Sequence, residues 1–211
     1  MHALRYLLAF IVPAIVALGL ALGGPWTFLA PAVLFGVLPL FEVFFRGTTE
    51  NLDDDEERAV RSQRRYDLII YAMVPIQYAL LAFFVWRVAR GDFEGVWLFG
   101  AILTMGMACG VLGINVAHEL GHRRRRYEQR MARALLATSL YVHFFIEHNR
   151  GHHAKVATAD DPASARYGET LYAFFPRTIF GGLRDAEDLH QVALFLQIVK
   201  KLTDAFKVFL R

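Results

Sequence analysis

The chain has 211 residues, of which 55% are hydrophobic and 18 are phenylalanine, and its formal net charge at pH 7 is +3. Soluble domains are usually about 45–50% apolar, so the composition argues against an ordinary soluble protein. The single cysteine, Cys109, excludes a disulfide within the chain and a metal site built on cysteines.

Four apolar segments are long enough to be membrane spans. They cover about residues 4–22, 26–45, 68–89 and 95–117. A helix needs roughly 17–25 residues to cross the hydrocarbon core of a bilayer. We therefore predict an all-α protein with about four transmembrane helices, although a cleaved signal peptide is an alternative interpretation of the first segment.

Basic residues indicate how these spans are oriented. The loop 46–67 contains five arginines, and Arg123 to Arg126 come shortly after the fourth span. Since cytoplasmic loops are enriched in Lys and Arg, we predict that this loop and the histidine-rich cap from His118 onward face the cytoplasm. Arginines next to a span ordinarily anchor it and contact lipid phosphates, so we predict no nucleic-acid partner.

Three later segments have their own patterns. Residues 131–147 are apolar but barely long enough to cross a bilayer, and we predict a re-entrant or interfacial helix there. Residues 148–170 are polar and rich in turn-forming residues. Residues 186–211 have apolar residues at helical spacing, which predicts an amphipathic helix on the membrane or on a partner.

Five histidines form two groups at the spacing of metal ligands. His118 and His122 lie in "HELGH", and His148, His152 and His153 lie in "EHNRGHH". Residues four apart share one face of a helix, so the two imidazoles of each pair can reach one ion. Unpartnered imidazoles within a membrane protein are costly. The pattern therefore predicts a metal site.

The "HELGH" segment also satisfies the H-E-x-x-H signature of zinc proteases. In that interpretation Glu119 is the general base and three protein groups hold zinc. Site-2 proteases take their third ligand from an Asp-Gly dipeptide, and this chain contains none. Five imidazoles also exceed the tetrahedral shell of one zinc ion, so two ions of iron, zinc or copper are the more natural interpretation.

Three longer segments resemble one known family. The segments "NVAHELGHR", "EHNRGHHAKVATADDPASARYGE" and "FFPRTIFGGL" resemble the integral-membrane alkane 1-monooxygenases, which belong to the membrane fatty-acid desaturase and hydroxylase superfamily. The resemblance implies an incomplete desaturase/hydroxylase-like domain over residues 1–185, the N-terminal part of the family only. Residues 186–211 do not look like the family.

The resemblance implies a function and a set of ligands. It implies a non-haem di-iron monooxygenase of a bacterial inner membrane that hydroxylates the terminal methyl group of medium-chain alkanes or related alkyl substrates. It also implies that dioxygen is the oxidant and that rubredoxin and rubredoxin reductase supply the electrons. By position, the histidines that match metal ligands of the family are His118, His122, His148, His152 and His153.

Several charged residues are candidates for supporting this site. We expect Glu119, Glu147 and Asp161 to accept hydrogen bonds from imidazole N–H groups. Arg166 and Arg177 are candidates for pairing with carboxylates near the site or for docking an acidic redox protein.

The chain also departs from the family, whose C-terminal half carries further histidine motifs. After His153 this chain has only His190. A second chain that completes the site is one explanation. A fragment or truncated reading frame is the other. As a function, an inactive truncated remnant or an assembly subunit is then an alternative to the monooxygenase.

Overall fold

A computed structural model of the protein describes residues 7–44 and 64–185, and every regular element in these two ranges is a helix. This confirms the predicted all-α fold. The helices of these ranges, numbered in chain order, are α1 Leu7–Leu22, α2 Gly24–Phe44, α3 Arg64–Ala89, α4 Gly95–Gly121, α5 Arg126–Ala137, α6 over residues 144–155 and α7 Leu171–Asp185.

Three of these helices are long and apolar enough to cross a membrane. They are α2, α3 and α4, with 21, 26 and 27 residues. At about 1.5 Å per residue, each exceeds the hydrocarbon core of about 30 Å. Helix α1 is a four-residue 3-10 turn followed by 12 α-helical residues, or roughly 25 Å. The predicted first span, 4–22, therefore has no helix of spanning length within the described residues.

The outer surface of α2 is apolar. The side chains of Phe35, Val43 and Phe44 are 76%, 75% and 76% exposed. A soluble protein rarely leaves such a contiguous apolar surface in water, whereas lipid tails accept it at no cost. Together with the lengths of the helices, this surface identifies a membrane protein.

The chain divides into two compact units, residues 1–116 and 117–211. The first unit has a continuous apolar core to which α1, α2, α3 and α4 all contribute. Its buried members are Val16, Leu20, Ala30, Met73, Leu80, Phe93, Ala101, Met105, Ala108 and Leu112.

Small residues bring α4 close to α2. A Cβ atom on Gly100 would lie 2.4 Å from Oγ1 of Thr27 and 2.7 Å from the Phe28 ring. The Thr104 hydroxyl donates a hydrogen bond of 2.6 Å to the backbone carbonyl of Thr27. Close backbone approach at glycine and hydrogen bonds from threonine are the usual means by which helices pack in lipid.

A partly buried arginine closes the C-terminal end of α1. Nη1 of Arg87 donates to the carbonyl oxygens of Leu20 and Ala21 at 2.9 and 2.8 Å. Arg87 also forms an ion pair with Asp92 and lies over the Phe93 ring, 5.0 Å from its centroid. A cation at this position complements the carbonyls that the last turn of a helix leaves unpaired.

The single helix predicted over 131–147 is wrong, because the chain turns sharply between α5 and α6. Leu140 has a positive φ of 58°. The Tyr141 amide donates to Leu136 O at 2.9 Å, and the Leu140 amide donates to Ala137 O at 3.2 Å. These paired hydrogen bonds form a Schellman motif. The sequence did not indicate this turn, because the position with positive φ is usually a glycine and here it is Leu140.

Two further predictions concern residues that the structure leaves largely undescribed. Of the loop 46–67, only residues 64–67 are described, and they form the start of α3. The amphipathic helix predicted over 186–211 lies outside the described residues.

Candidate metal centre

The first histidine pair lies at the end of α4. This helix runs past residue 117, where the predicted span ended, so His118 is in its last turn and His122 follows it. The His122 amide donates to His118 O at 3.3 Å, which keeps the helical geometry. The Nε2 atoms of the two rings are therefore 3.1 Å apart.

The second group lies on α6, which is wound as a π-helix over Glu147–His152. In an α-helix, residues five apart point about 140° away from each other. The i→i+5 hydrogen bonds of a π-helix instead place them on the same side. Nε2 of His153 consequently lies 3.1 Å from Nε2 of His148. The HxxxH spacing predicted that His152 would fill this position.

The ring nitrogens of the two histidine groups lie next to one another. Nε2 of His148 lies 3.1 Å from Nε2 of His122, and potential ligand atoms of His118, His122 and His148 all lie within 4.8 Å of one another. Metal–nitrogen bonds of about 2.0–2.1 Å separate neighbouring ligand atoms by about 3 Å in an octahedral shell and about 3.3 Å in a tetrahedral one. The spacing of these nitrogens therefore fits ligands that share one ion.

The cluster also has the protonation state that a metal site requires. Burial and the neighbouring imidazoles lower the pKa of His148 to about 4. Burial and the imidazoles of His118 and His153 also lower the pKa of His122. Histidine binds metal as the neutral ring. Near pH 7 neither ring has to lose a proton before it binds an ion.

His152 has a different environment from the other four histidines. Its Nδ1 atom lies 2.8 Å from Oδ2 of Asp161, a carboxylate that is only 1% exposed. Burial raises the pKa of Asp161, but hydrogen bonds from the Ser164 hydroxyl, the Ala163 amide and His152 outweigh it and lower the pKa below its usual value. A charged carboxylate can only accept a hydrogen bond, so this contact favours the tautomer that carries its proton on Nδ1 and has Nε2 as the unprotonated nitrogen.

The other two candidate carboxylates have different contacts. Glu119 is 59% exposed at its side chain and forms an ion pair of 3.3 Å with Arg123. Glu147 is buried, and a Cβ atom on Gly182 would lie 3.2 Å from its Cγ.

The sequence interpretation missed one aromatic contact. The ring of Phe144 stacks on the ring of His148, with centroids 4.8 Å apart and planes 16° from parallel. Phe144 precedes His148 by four residues, so the helical spacing used for the histidines would also have identified this contact. The stacked ring shields one face of the imidazole from water.

Another histidine of this segment, His143, is a packing residue. His143 is buried, and its ring packs edge-on against Tyr141 with centroids 4.6 Å apart. Burial lowers its pKa.

Similar proteins of known class match most of this chain. The alkane 1-monooxygenase of Pseudomonas putida is 38% identical over 163 residues, which cover 77% of this chain and 40% of that protein. Alkane 1-monooxygenase 1 of Alcanivorax borkumensis is 37% identical over 170 residues, 80% of this chain and 42% of that protein. The hydroxylase component of a xylene/toluene monooxygenase of Pseudomonas putida is 30% identical over 189 residues, 88% of this chain and 49% of that protein.

These matches confirm the resemblance predicted from the sequence. The chain spans about 40% of the length of the first two relatives. The sequence model of the fatty acid desaturase family matches residues 94–210, which include all five clustered histidines and also most of the segment 186–211 that does not look like the family by eye. Because this match covers more than half of the chain, the protein belongs to the fatty acid desaturase family.

Proposed function

We propose that this chain is the metal-binding part of a membrane-bound non-haem di-iron monooxygenase. Its substrates would be medium-chain alkanes or related alkyl compounds, hydroxylated at the terminal methyl group. The observation that carries the proposal is the convergence of four imidazole Nε2 atoms in steps of 3.1 Å. The names of the relatives, alkane 1-monooxygenase and xylene/toluene monooxygenase, support the reaction class.

The histidines divide between two tasks in this proposal. His118, His122 and His148 would hold one ion, because their potential ligand atoms all lie within 4.8 Å of one another. His153 lies beside His148 but outside that group of three, and it would face the second ion. His152 would present its own Nε2 to the second ion, because Asp161 holds the proton on Nδ1. Five nitrogens do not fill the shells of two ions, so the proposal requires further ligands from outside this set.

The chain's own residues would prepare the site for oxidation chemistry. Iron bound there would supply dioxygen activation and the oxidation of an unactivated C–H bond. The protein would hold the imidazoles neutral and would shield His148 with the ring of Phe144. Asp161 would fix the orientation of His152. Rubredoxin and its reductase are the proposed electron donors.

The site would lie on the cytoplasmic side of a bacterial inner membrane. Arg124, Arg125 and Arg126 are exposed directly after the end of α4. A cluster of arginines beside a span favours the cytoplasmic side of the membrane.

The contacts of Glu119 argue against a zinc protease. A protease of the H-E-x-x-H type needs this glutamate as a general base beside the metal. Its carboxylate is instead largely exposed and paired with Arg123. A fourth imidazole, His153, also lies beside His148, where a zinc hydrolase would keep an open position for water.

Metal content per chain tests the proposed function directly. We expect iron to co-purify with the protein in detergent, and His148→Ala to remove it because His148 contacts every other ring of the cluster. His143→Gln is the matched control, since His143 is buried against Tyr141 and should leave the iron in place. Zinc without iron would favour the protease. No bound metal would favour the remnant or assembly subunit.

A further inference from the structure

Helix α7 holds the segment that carries Asp161, and it does so mainly through one arginine. Nη1 of Arg177 donates to Pro162 O at 3.0 Å, and Nη2 donates to Ser164 O at 2.9 Å. Ser164 also donates its hydroxyl to Oδ2 of Asp161 at 2.5 Å. The guanidinium therefore binds the backbone on the C-terminal side of the carboxylate that His152 contacts.

A second carboxylate fixes the guanidinium itself. Nε and Nη2 of Arg177 donate to the two oxygens of Glu169 at 2.6 Å each. The Arg166 amide adds a hydrogen bond of 3.0 Å to the same carboxylate. Such a two-point pairing has a defined geometry that a lysine cannot reproduce. Arg177 is thus held in the one orientation that reaches both carbonyls.

The backbone of α7 is also seated directly on this segment. A Cβ atom on Gly181 would lie 2.4 Å from Cβ of Pro162. On the next residue, a Cβ atom on Gly182 would lie 3.2 Å from Cγ of Glu147, at the start of the π-helical turn. The helix therefore contacts both the Asp161 segment and the helix that carries His152.

We propose that Arg177 and Glu169 are positioning residues for the metal centre. They hold the Asp161 segment so that its carboxylate keeps the proton of His152 on Nδ1 and the ring in one orientation. The inference rests on the proposed function, because it takes His152 to be a metal ligand. Arg177 itself contacts no histidine of the cluster among the contacts described above; it acts through Asp161.

Ferrous iron affinity of the detergent-purified full chain provides the first test. Loss of a group that orients a ligand typically weakens metal binding about 10–100-fold. We expect Asp161→Asn to fall in this range and Arg177→Gln to weaken binding about tenfold. Arg184→Gln is the matched control, because Arg184 is exposed on the same helix; it should change nothing. Gly181→Ala should weaken binding without any change of charge.

A double-mutant cycle separates positioning from general destabilisation. If Arg177 acts through Asp161, Arg177→Gln combined with Asp161→Asn should bind iron no more weakly than Asp161→Asn alone. Additive losses would overturn the proposal. An equal loss in Arg184→Gln would also overturn it. If Arg177→Gln does not fold, Arg177→Lys serves in its place, because lysine keeps the charge but cannot make the two-point pairing with Glu169.

A second readout needs no metal and no activity. In protein labelled with 15N-histidine, His152 should show an Nδ1-bound proton, assigned by its loss in His152→Gln. We expect Arg184→Gln to keep this signal and Arg177→Gln to lose it. A signal that persists in Arg177→Gln would refute the positioning role. If the wild type bound no iron, the proposed function would fail while this measurement still decided the role of Arg177.

Discussion

His148 lies at the centre of the histidine cluster, with ring contacts to His118, His122, His152 and His153. Its neighbours and its burial lower its pKa to about 4, well below the usual value of about 6.5. A ring that resists protonation is suited to binding metal near neutral pH. The same shift affects the folding of the metal-free protein.

The pKa of His148 predicts how the stability of the metal-free protein depends on pH. Between about pH 6.5 and about pH 4 the unfolded chain binds a proton at this residue and the folded chain does not. Stability rises with pH wherever the unfolded state binds more protons. The thermal midpoint of the metal-free protein should therefore fall as the pH is lowered through this window.

His148→Gln is the control for this prediction. It removes the titrating ring, so the thermal midpoint should depend less steeply on pH in the variant. Equal slopes in the variant and the wild type would show that other groups cause the pH dependence.

At the scale of single elements, helical winding and close packing determine which side chains come into contact. The π-helical turn Glu147–His152 is what brings His153 to His148. Inserted winding of this kind often occurs at functional sites. In α4, the absence of a side chain at Gly100 is what lets the helix approach Thr27. Both features are local departures from an ideal, fully substituted α-helix.

Gly100→Ala should destabilise the first unit. The new methyl group would lie 2.4 Å from Oγ1 of Thr27 and 2.7 Å from the ring of Phe28, so α2 and α4 would have to separate. Such overpacking typically costs about 1–3 kcal/mol. Gly106→Ala lies on the same helix, where an added Cβ would meet nothing within 4 Å. We expect thermal unfolding in detergent to show a lower midpoint for the first variant only.

A midpoint for Gly100→Ala at or above that of the wild type would contradict this account of the α2–α4 contact. We expect Gly106→Ala to keep the midpoint or raise it slightly, because alanine favours a helix by up to about 1 kcal/mol over glycine.

At the scale of the whole molecule, the orientation in the membrane is open to a direct test. Glu94 and Arg124 flank α4 and are both exposed. With Cys109→Ala as background, a membrane-impermeant maleimide should label Glu94→Cys in intact spheroplasts. It should label Arg124→Cys only after the membrane is permeabilised. The reverse pattern would place the metal site on the outer side and refute the proposed topology.

The sequence by itself determined the properties that depend on local order. The lengths of the apolar segments predicted four spans, and three of them are helices long enough to cross a bilayer, which sets a minimum length for every span. The spacing of the histidines predicted that His118 and His122 share one helix face, because that relation depends only on helical periodicity. The same composition led to the wrong prediction of one helix over 131–147, since nothing local marks Leu140 as the residue with positive φ.

Only the tertiary structure decided which histidine nitrogens lie together and which residues orient His152. The Nε2 atom of His153, rather than that of His152, lies 3.1 Å from Nε2 of His148 because of π-helical winding, which sequence spacing does not encode. The contact between His152 and Asp161 joins residues nine apart across a turn. The position of Asp161 depends in turn on Arg177, thirteen to fifteen residues beyond the carbonyls that it binds. Such contacts arise only when separate helices pack together, because packing selects which of many compatible local geometries the chain adopts.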